Sequence, residues 1–576
     1  MDNSLDHLHG SNAVPSNIEL QRLKDLLAPD EIALSRLEEE IKQAGEVLQT
    51  LAKEKKAIED RVRPLKALSS LIRQIPAEIM QEIFMHSRPS SYSRTSGICD
   101  APLLLLRVCR SWRDLALSTP QLWASVEVAM PKHLSMSDAF TEGKMNIYTA
   151  EIRRWIARSG DAPLSLRIRQ DYYIEGHDNF FVSIFQDYLK HSARLVSIEL
   201  RVKREVLEAI TSAIDAHSLE GLSTVRIWDA SYDLPGEIFA SSNLFKAKNL
   251  KKFHFVPSYC PAFEDLPLDW SNLTSLSIGA SQTSRSFFPG DFDEAPFSAT
   301  ESISILRRTP RLVSCTLMLP SSVAQRPQWT QENEDREDCA AVMLQDLETL
   351  RITGPDEELA TIIKQIETPR IRNFTYHPWI ALNRSPTPAF RSSPLLDFFD
   401  RYGEIVESMS VDLLDITDDD FIACLQRIPA VKDLYLGPTQ TSSSYYHPLT
   451  AEVRGRSIPF TDVHLALLTL KPHPLCPRLE NLECAMPARL TQDAICSFLD
   501  ARSDAKNIAS GVSRIQRLSF SSMQLDFPLT EFLENTFRYR EELVRLHFWK
   551  DMHNLPTFVA PMGALNTRPT PWTDDL

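Results

Sequence analysis

Glycine is scarce in this chain, 16 of 576 residues, whereas proline reaches 37. So little glycine leaves few places where backbone amides can wrap a phosphate, and no P-loop or GxGxxG follows a strand pattern. GxSxG and HExxH are also missing, and no residue carries a catalytic pattern, so the chain is not expected to be an enzyme. The nine cysteines form no CxxC pair, which argues against a disulfide framework and suits a reducing compartment. His447, His464, His473, Cys476, Cys484 and Cys496 lie near one another in sequence. They offer no close ligand pairs, and Cys484 and Cys496 fall on apolar strand and helix positions, so neither metal nor cofactor is expected. Lys and Arg number 62 against 77 Asp and Glu, a formal charge of -15. That balance argues against nucleic acid or an anionic membrane surface as partner. No apolar run reaches the ~18 residues of a membrane span and no secretory leader is evident, so the expected location is cytoplasm, nucleus or both.

What is present is a folded composition, 43% hydrophobic and 24% charged, over a length that calls for several modules or a repeat array. Residues 1–17 are polar, lack periodicity and are expected to be unstructured. In residues 18–64, Leu20, Leu27, Leu34, Ile41 and Leu48 recur every seven residues. Leu23, Leu37, Ala44, Leu51, Ile58 and Leu65 hold the companion positions three residues on. Such an a/d seam predicts a long amphipathic helix. Asp30 and Lys55 are polar members of the seam, Pro29 interrupts it and Pro64 closes it, which places the helix at about 30–63. It serves either self-association through 18–64 or packing back on its own chain.

Residues 65–130 form a helical module. Pro76 is placed as the first residue of a helix, where its missing N–H costs nothing, and Glu78 favours the same end. Ile79 with Ile83 and Met80 with Phe84 then stack at i,i+4. After a Ser-rich gap, Val108, Trp112 and Leu115 repeat the spacing, and a Ser-Thr-Pro turn at 118–120 precedes Leu122 and Trp123. Two or three short helices result, with more apolar surface than so small a unit can bury.

Beyond residue 147 one template recurs: apolar, two residues, apolar, one residue, apolar. It fits Leu195/Ile198/Leu200, Leu222/Val225/Ile227, Leu250/Phe253/Phe255, Leu273/Leu276/Ile278, Leu312/Cys315/Leu317 and Leu347/Leu350/Ile352. It continues at Ile371/Phe374/Tyr376, Val406/Met409/Val411, Val431/Leu434/Leu436, Leu479/Leu482/Cys484, Ile515/Leu518/Phe520 and Leu543/Leu546/Phe548. Helical patterns fall between several of these, at 204–217, 356–366, 417–428 and 491–501, with Thr417 and Thr491 placed as N-caps. Asp418, Asp419 and Asp420 read as an acidic first turn rather than a cation site. Segments 320–339, 378–394 and 438–459 are expected to be loops, and 551–576 a Pro-rich tail.

Two resemblances attach to these patterns. The string Pro76, Glu78, Ile79, Ile83, Phe84, then Val108, Cys109, Arg110, Trp112, Arg113, then Leu122 and Trp123, resembles the F-box. Ile75 and Met80 stand where that family usually has leucines, and the gap before Pro102 is longer. The strand–turn–helix recurrence over 147–550 is similar to leucine-rich repeats. Together they imply an α/β chain: a long coiled-coil-like helix, a short F-box module and an irregular leucine-rich-repeat solenoid with a parallel sheet. The F-box resemblance further implies a substrate receptor of a Skp–cullin ubiquitin ligase, its chemistry residing on other subunits. Pro76, Ile79, Ile83, Phe84, Val108, Trp112 and Trp123 would then serve the Skp adaptor, whether as contacts or as core. The repeats would bind an unidentified target protein through outward strand positions, with Arg226, His254, Arg351 and Tyr435 as candidates. Read in sequence, that row is Glu199, Arg226, His254, Ser277, Thr316, Arg351, Thr375, Asp412, Tyr435, Glu483, Ser519 and His547. The alternative is a scaffold that uses the adaptor without ubiquitylation.

Overall fold

The computed structural model describes residues 14–69, 71–88, 101–129, 138–170, 178–214, 219–229, 242–256, 263–279, 297–319, 341–378, 393–412, 416–437, 458–469, 474–484, 488–521 and 545–549. The expected loop at 320–339, the tail at 551–576, and most of the expected loops at 378–394 and 438–459 lie outside these residues. The chain divides into two compact units, Met1–Ile83 and Phe84–Leu576.

The first unit is dominated by helix α1, Asn17–Leu68, 52 residues long. A capping box starts it: Ser16 Oγ accepts from Glu19 N–H, and the Glu19 carboxylate accepts from Ser16 N–H at 2.8 Å. The helix runs through Pro29 and continues past Pro64, so the expected limits of 30 and 63 are too narrow. Each proline removes one intrahelical hydrogen bond, and in a helix of this length the turns on either side keep the rest. The seam residues Leu20, Leu27, Leu34, Leu37, Ile41, Leu48, Leu51, Ile58 and Leu65 are all exposed.

Helix α2, Ala77–His86, carries the Pro76 signal one residue later than expected, with Pro76 C=O accepting from Met80 N–H at 3.0 Å. The next helical stretch is split. Leu105–Val108 forms α3 and Arg110–Leu117 forms α4, because Cys109 is extended (φ -157°, ψ 172°) and its Sγ caps Trp112 N–H. The single spacing from Val108 to Leu115 therefore spans a break.

The rest of the second unit is built on one parallel sheet. Strand β1 is Ser125–Ala129; after helix α5, Asp138–Arg158, comes β2, Leu164–Arg169. Helix α6, Asp178–Leu189, leads to β3, Leu195–Val202, and α7, Arg204–Ile214, to β4, Thr224–Asp229. Then follow β5 Lys252–Val256, β6 Ser275–Gly279, β7 Ser314–Met318, β8 Val342–Met343 and β9 Thr349–Gly354. The remainder are β10 Ile366–Glu367, β11 Asn373–Pro378, β12 Ser408–Val411, β13 Asp433–Leu436 and β14 Phe460–Thr461, then β15 Asn481–Cys484, β16 Ala488–Arg489, β17 Arg517–Ser521 and β18 Arg545–Trp549. Fourteen of these pair in chain order into the sheet; β8 with β10 and β14 with β16 make two short ladders. Every pairing is parallel.

The recurring template explains this order. Each template side chain from Leu195 to Phe520 is at most 3% exposed, since alternate strand residues point to the same face and that face carries the core. Leu543 and the side chains of β18 lie outside what the structure describes, although its backbone pairs with β17. Just before the strands a second ladder of backbone bonds links successive repeats. Lys251 N–H donates to Ser223 O, Thr274 to Lys251, Val313 to Thr274, Glu348 to Val313 and Arg372 to Glu348, at 2.8–2.9 Å. These bonds stack one turn on the next, so a repeat that exposes an apolar face alone buries it on its neighbours.

Helices return the chain between many of the strands. Thr417 and Thr491 cap Asp418–Arg427 and Gln492–Ser503, accepting from Asp420 N–H at 3.1 Å and Ala494 N–H at 3.3 Å. Between β4 and β6 no helix is described, and 3-10 turns at Phe263–Asp265 and Trp270–Asn272 fill the place with Phe263 and Trp270 buried. Gly279 shows how closely the strands approach: at φ +142° an added Cβ would lie 2.1 Å from Met318 O.

Candidate protein-docking surfaces

Strand positions between the template residues point to the opposite face of the sheet from the apolar core, and the register lines their central members into one row. From β1 to β17 it reads Glu127, Arg167, Glu199, Arg226, His254, Ser277, Thr316, Arg351, Thr375, Ser410, Tyr435, Glu483 and Ser519; the β18 backbone pairs His547 with Ser519. Arg226, His254, Arg351 and Tyr435 all stand on it, but His254 and Tyr435 are buried, as are Ser277, Thr375, Ser410, Glu483 and Ser519. Two corrections apply to the row read in sequence. Ser410 holds the β12 slot, whereas Asp412 follows the strand's end and donates its N–H to Tyr376 O at 3.3 Å. The row also begins two strands earlier, at Glu127 and Arg167. Only Val126 and Val128 alternate in the short β1, too weak a signal to set against a linker.

Neighbouring strands are ~4.8 Å apart, so charges on the row couple. At the β1–β4 end arginines and glutamates interleave. Arg167 Nε lies 2.7 Å from Glu199 Oε1, and Arg167 Nη1 lies 3.6 Å from Glu127 Oε2. Arg169 Nη2 lies 3.2 Å from Glu127 Oε1, and Arg226 Nη1 lies 3.9 Å from Glu199 Oε2. These side chains are half-buried, which weakens water's screening and holds the guanidinium planes in place.

His254 is buried beside the Trp228 ring, their centroids 4.5 Å apart, and its Nε2 has no hydrogen-bond partner. Burial, with Arg226 adding to it, lowers its pKa to about 3. The ring is therefore neutral near pH 7 and acts as a flat polar surface rather than as a cation. His377, one row over on β11, is held near 4 by burial and then by Arg351. Arg226, Lys252, His254, Ser277 and Thr316 line a cavity of about 30 Å³. That is the share of one water in the liquid, far below the ~300 Å³ at which small-molecule pockets begin.

Along the row the character changes. Ser277, Thr316, Thr375 and Ser410 make a hydroxyl stretch broken only by Arg351. Beyond Tyr435, Glu483 is buried, which raises its pKa, and Arg517 Nη2 lies 3.6 Å away.

The module residues sort by exposure. Phe84 is fully buried, its ring 5.0 Å from that of Trp112. Trp123 is also core: its Nε1–H donates to Ala116 O at 2.8 Å, its ring meets Trp155 at 4.9 Å, and the Arg158 guanidinium lies over it. Trp112 is half-buried. Pro76 is exposed, as are Ile79 at 53% and Ile83 at 45%, all in the first unit. In the second unit Val108 is exposed at 51%, with Leu104 and Leu117.

The histidines and cysteines that suggested metal find other roles. His464 accepts from Thr461 N–H at 3.1 Å through Nδ1 as part of a capping box, and its Nε2 lies 2.9 Å from Asp418 Oδ1. Cys476 Sγ–H faces Leu425 O, and burial pushes its thiol up to about 12. His447 and His473 lie outside the described residues. Among the described residues no group of three or more His, Cys, Asp or Glu could hold a metal ion, and no helix is long and apolar enough to cross a membrane. No family model matches the chain, and no curated protein matches it.

Proposed function

We propose that the chain is an F-box receptor with leucine-rich repeats, the non-catalytic target-recognition subunit of a Skp–cullin ubiquitin ligase. One observation carries the reading: fourteen parallel strands in chain order bring polar, charged and aromatic positions into one register, with Glu127, Arg167, Glu199, Arg226, Thr316 and Arg351 only partly buried and no ligand-sized cavity at the Arg226–Thr316 stretch. In repeat arrays that face is the extended binding surface, and its variety gives a protein target several distinct contacts. The module residues support the adaptor half. Phe84 and Trp123 form packed core with the half-buried Trp112 against Phe84, while Ile79, Ile83 and Val108 remain exposed as apolar contacts. Catalysis would then amount to holding a target lysine near a charged conjugating enzyme on other subunits.

The test separates adaptor from target. Ile79→Asp with Val108→Asp, both exposed, should abolish co-purification of the Skp adaptor while leaving the melting temperature unchanged. Arg226→Ser with Arg351→Ser should leave adaptor binding intact and abolish ubiquitylation of captured proteins in a reconstituted ligase. Adaptor retained by the first variant refutes the F-box assignment. Capture without ubiquitylation by the unmodified chain favours an adaptor-bound scaffold.

A further inference from the structure

We infer that α1 pairs with α1 of a second copy of this chain, antiparallel and in full register. The helix presents about seven heptads of exposed seam, more than the three or four that distinguish a coiled coil, over about 78 Å at ~1.5 Å per residue. Pro29 and Pro64 both fall at the heptad position two residues after an a residue, on the outer side, so neither enters the seam. The orientation follows from the charges.

In an antiparallel pair each a residue meets a d residue of the other copy. Full overlap sets Asn17 against Leu68, and all paired residue numbers then share the total of that first pair, 85. Leu20 meets Leu65, Leu23 meets Val62, Leu27 meets Ile58, Leu34 meets Leu51, Leu37 meets Leu48 and Ile41 meets Ala44. The one remaining pair is Asp30 with Lys55. The two polar members of the seam thus face each other, twice in a two-fold dimer. Among the nearest flanking pairs, Lys24 faces Glu59, and no like charges are opposed. A parallel pair sets Asp30 on Asp30, Lys55 on Lys55, Glu54 on Glu59 and Arg61 on Lys66, against one favourable flanking pair, Glu19 with Lys24. Lys55 also lies 3.8 Å from Glu59 within its own helix, an exposed pair that costs little to rearrange.

Sedimentation equilibrium of the full chain tests this, with circular dichroism to check that helicity is kept. The unmodified chain should be a dimer at micromolar concentration. Asp30→Lys alone, or Lys55→Asp alone, opposes like charges at both symmetry-related pairs and should weaken the dimer on the order of tenfold. The double exchange, Asp30→Lys with Lys55→Asp, should restore it. A monomeric unmodified chain overturns the proposal. So do single reversals that leave dimerisation unchanged, the outcome for a parallel pair, and a double exchange that fails to rescue.

Discussion

Acid should unfold the sheet earlier than its carboxylates require, and two histidines set the size of the effect. His254 and His377 are kept neutral in the folded chain, near 3 and 4, by burial reinforced by Arg226 and Arg351 respectively. In the unfolded chain a histidine binds its proton near 6.5. Between 6.5 and those lower values the unfolded state therefore holds protons that the folded state refuses. Stability from these two groups is complete above pH 6.5 and is lost as pH falls towards 4 and then 3. At ~1.4 kcal/mol per pH unit, moving from pH 7 to pH 5 costs about 2 kcal/mol for each histidine and about 4 kcal/mol for both.

Other groups act over the same range. His191 is also lowered, by burial and then Arg194, and adds to the loss. Burial raises Glu483, Asp433 and Glu301, so protonating them on acidification favours the folded state. All of these remain in His254→Gln with His377→Gln, whose side chains do not titrate. The measurement is urea unfolding followed by tryptophan fluorescence at pH 7, 6 and 5. The unmodified chain should lose about 4 kcal/mol more than the double variant across that range. Parallel pH profiles for the two proteins would refute the claim that buried neutral imidazoles control acid stability.

Two further outcomes can be checked in the same preparations. Arg502 is buried and donates to the carbonyls of Pro477, Leu468, Leu475 and Cys476 at 2.9, 2.9, 3.3 and 3.1 Å. Arg502→Met strands those acceptors and should lower unfolding free energy by about 3–5 kcal/mol in urea titrations, a fall below ~1 kcal/mol counting against the network. Cys109 is exposed, whereas burial pushes the thiols of Cys315, Cys424 and Cys476 up to about 12. In the folded chain at pH 8 a disulfide reagent should label Cys109 and spare those three until denaturant is added, as peptide mapping would reveal.

Burial leaves a periodic trace in a sequence, and for that reason the strands could be read so fully. Leu222, Val225 and Ile227 had to be apolar, as did their equivalents in each repeat, because one face of every strand meets the core. The caps at Thr417 and Thr491 were legible for a similar reason: a side-chain oxygen must reach a free N–H near the helix start. Strand β1 was too short to set its own period. Helix α6 is rich in aromatics, Phe180, Phe181, Phe185 and Tyr188 among them, and aromatic residues have middling helix propensity. The helix Ala299–Arg307 carries its own start signal in the sequence, the Ser298–Glu301 capping box.

The row behaves differently because its burial does not select for apolar side chains. Ser277, Thr375, Ser410 and Ser519 are buried yet polar, so the row shows no hydrophobic period and sequence alone does not distinguish Ser410 from Asp412 as its β12 member. What makes Glu127, Arg167, Glu199 and Arg226 neighbours is the parallel register, which aligns residues roughly 27 to 40 positions apart in sequence. Tryptophan roles divide along the same line. Trp112 and Trp123 carry the same side chain in one short segment, yet burial leaves Trp112 partly open and closes Trp123 beneath Arg158. A residue's type states what contact it can make. Only the fold decides whether a partner can reach it, so the exposed Ile79, Ile83 and Val108, rather than the buried Phe84 and Trp123, are where adaptor docking has to be tested.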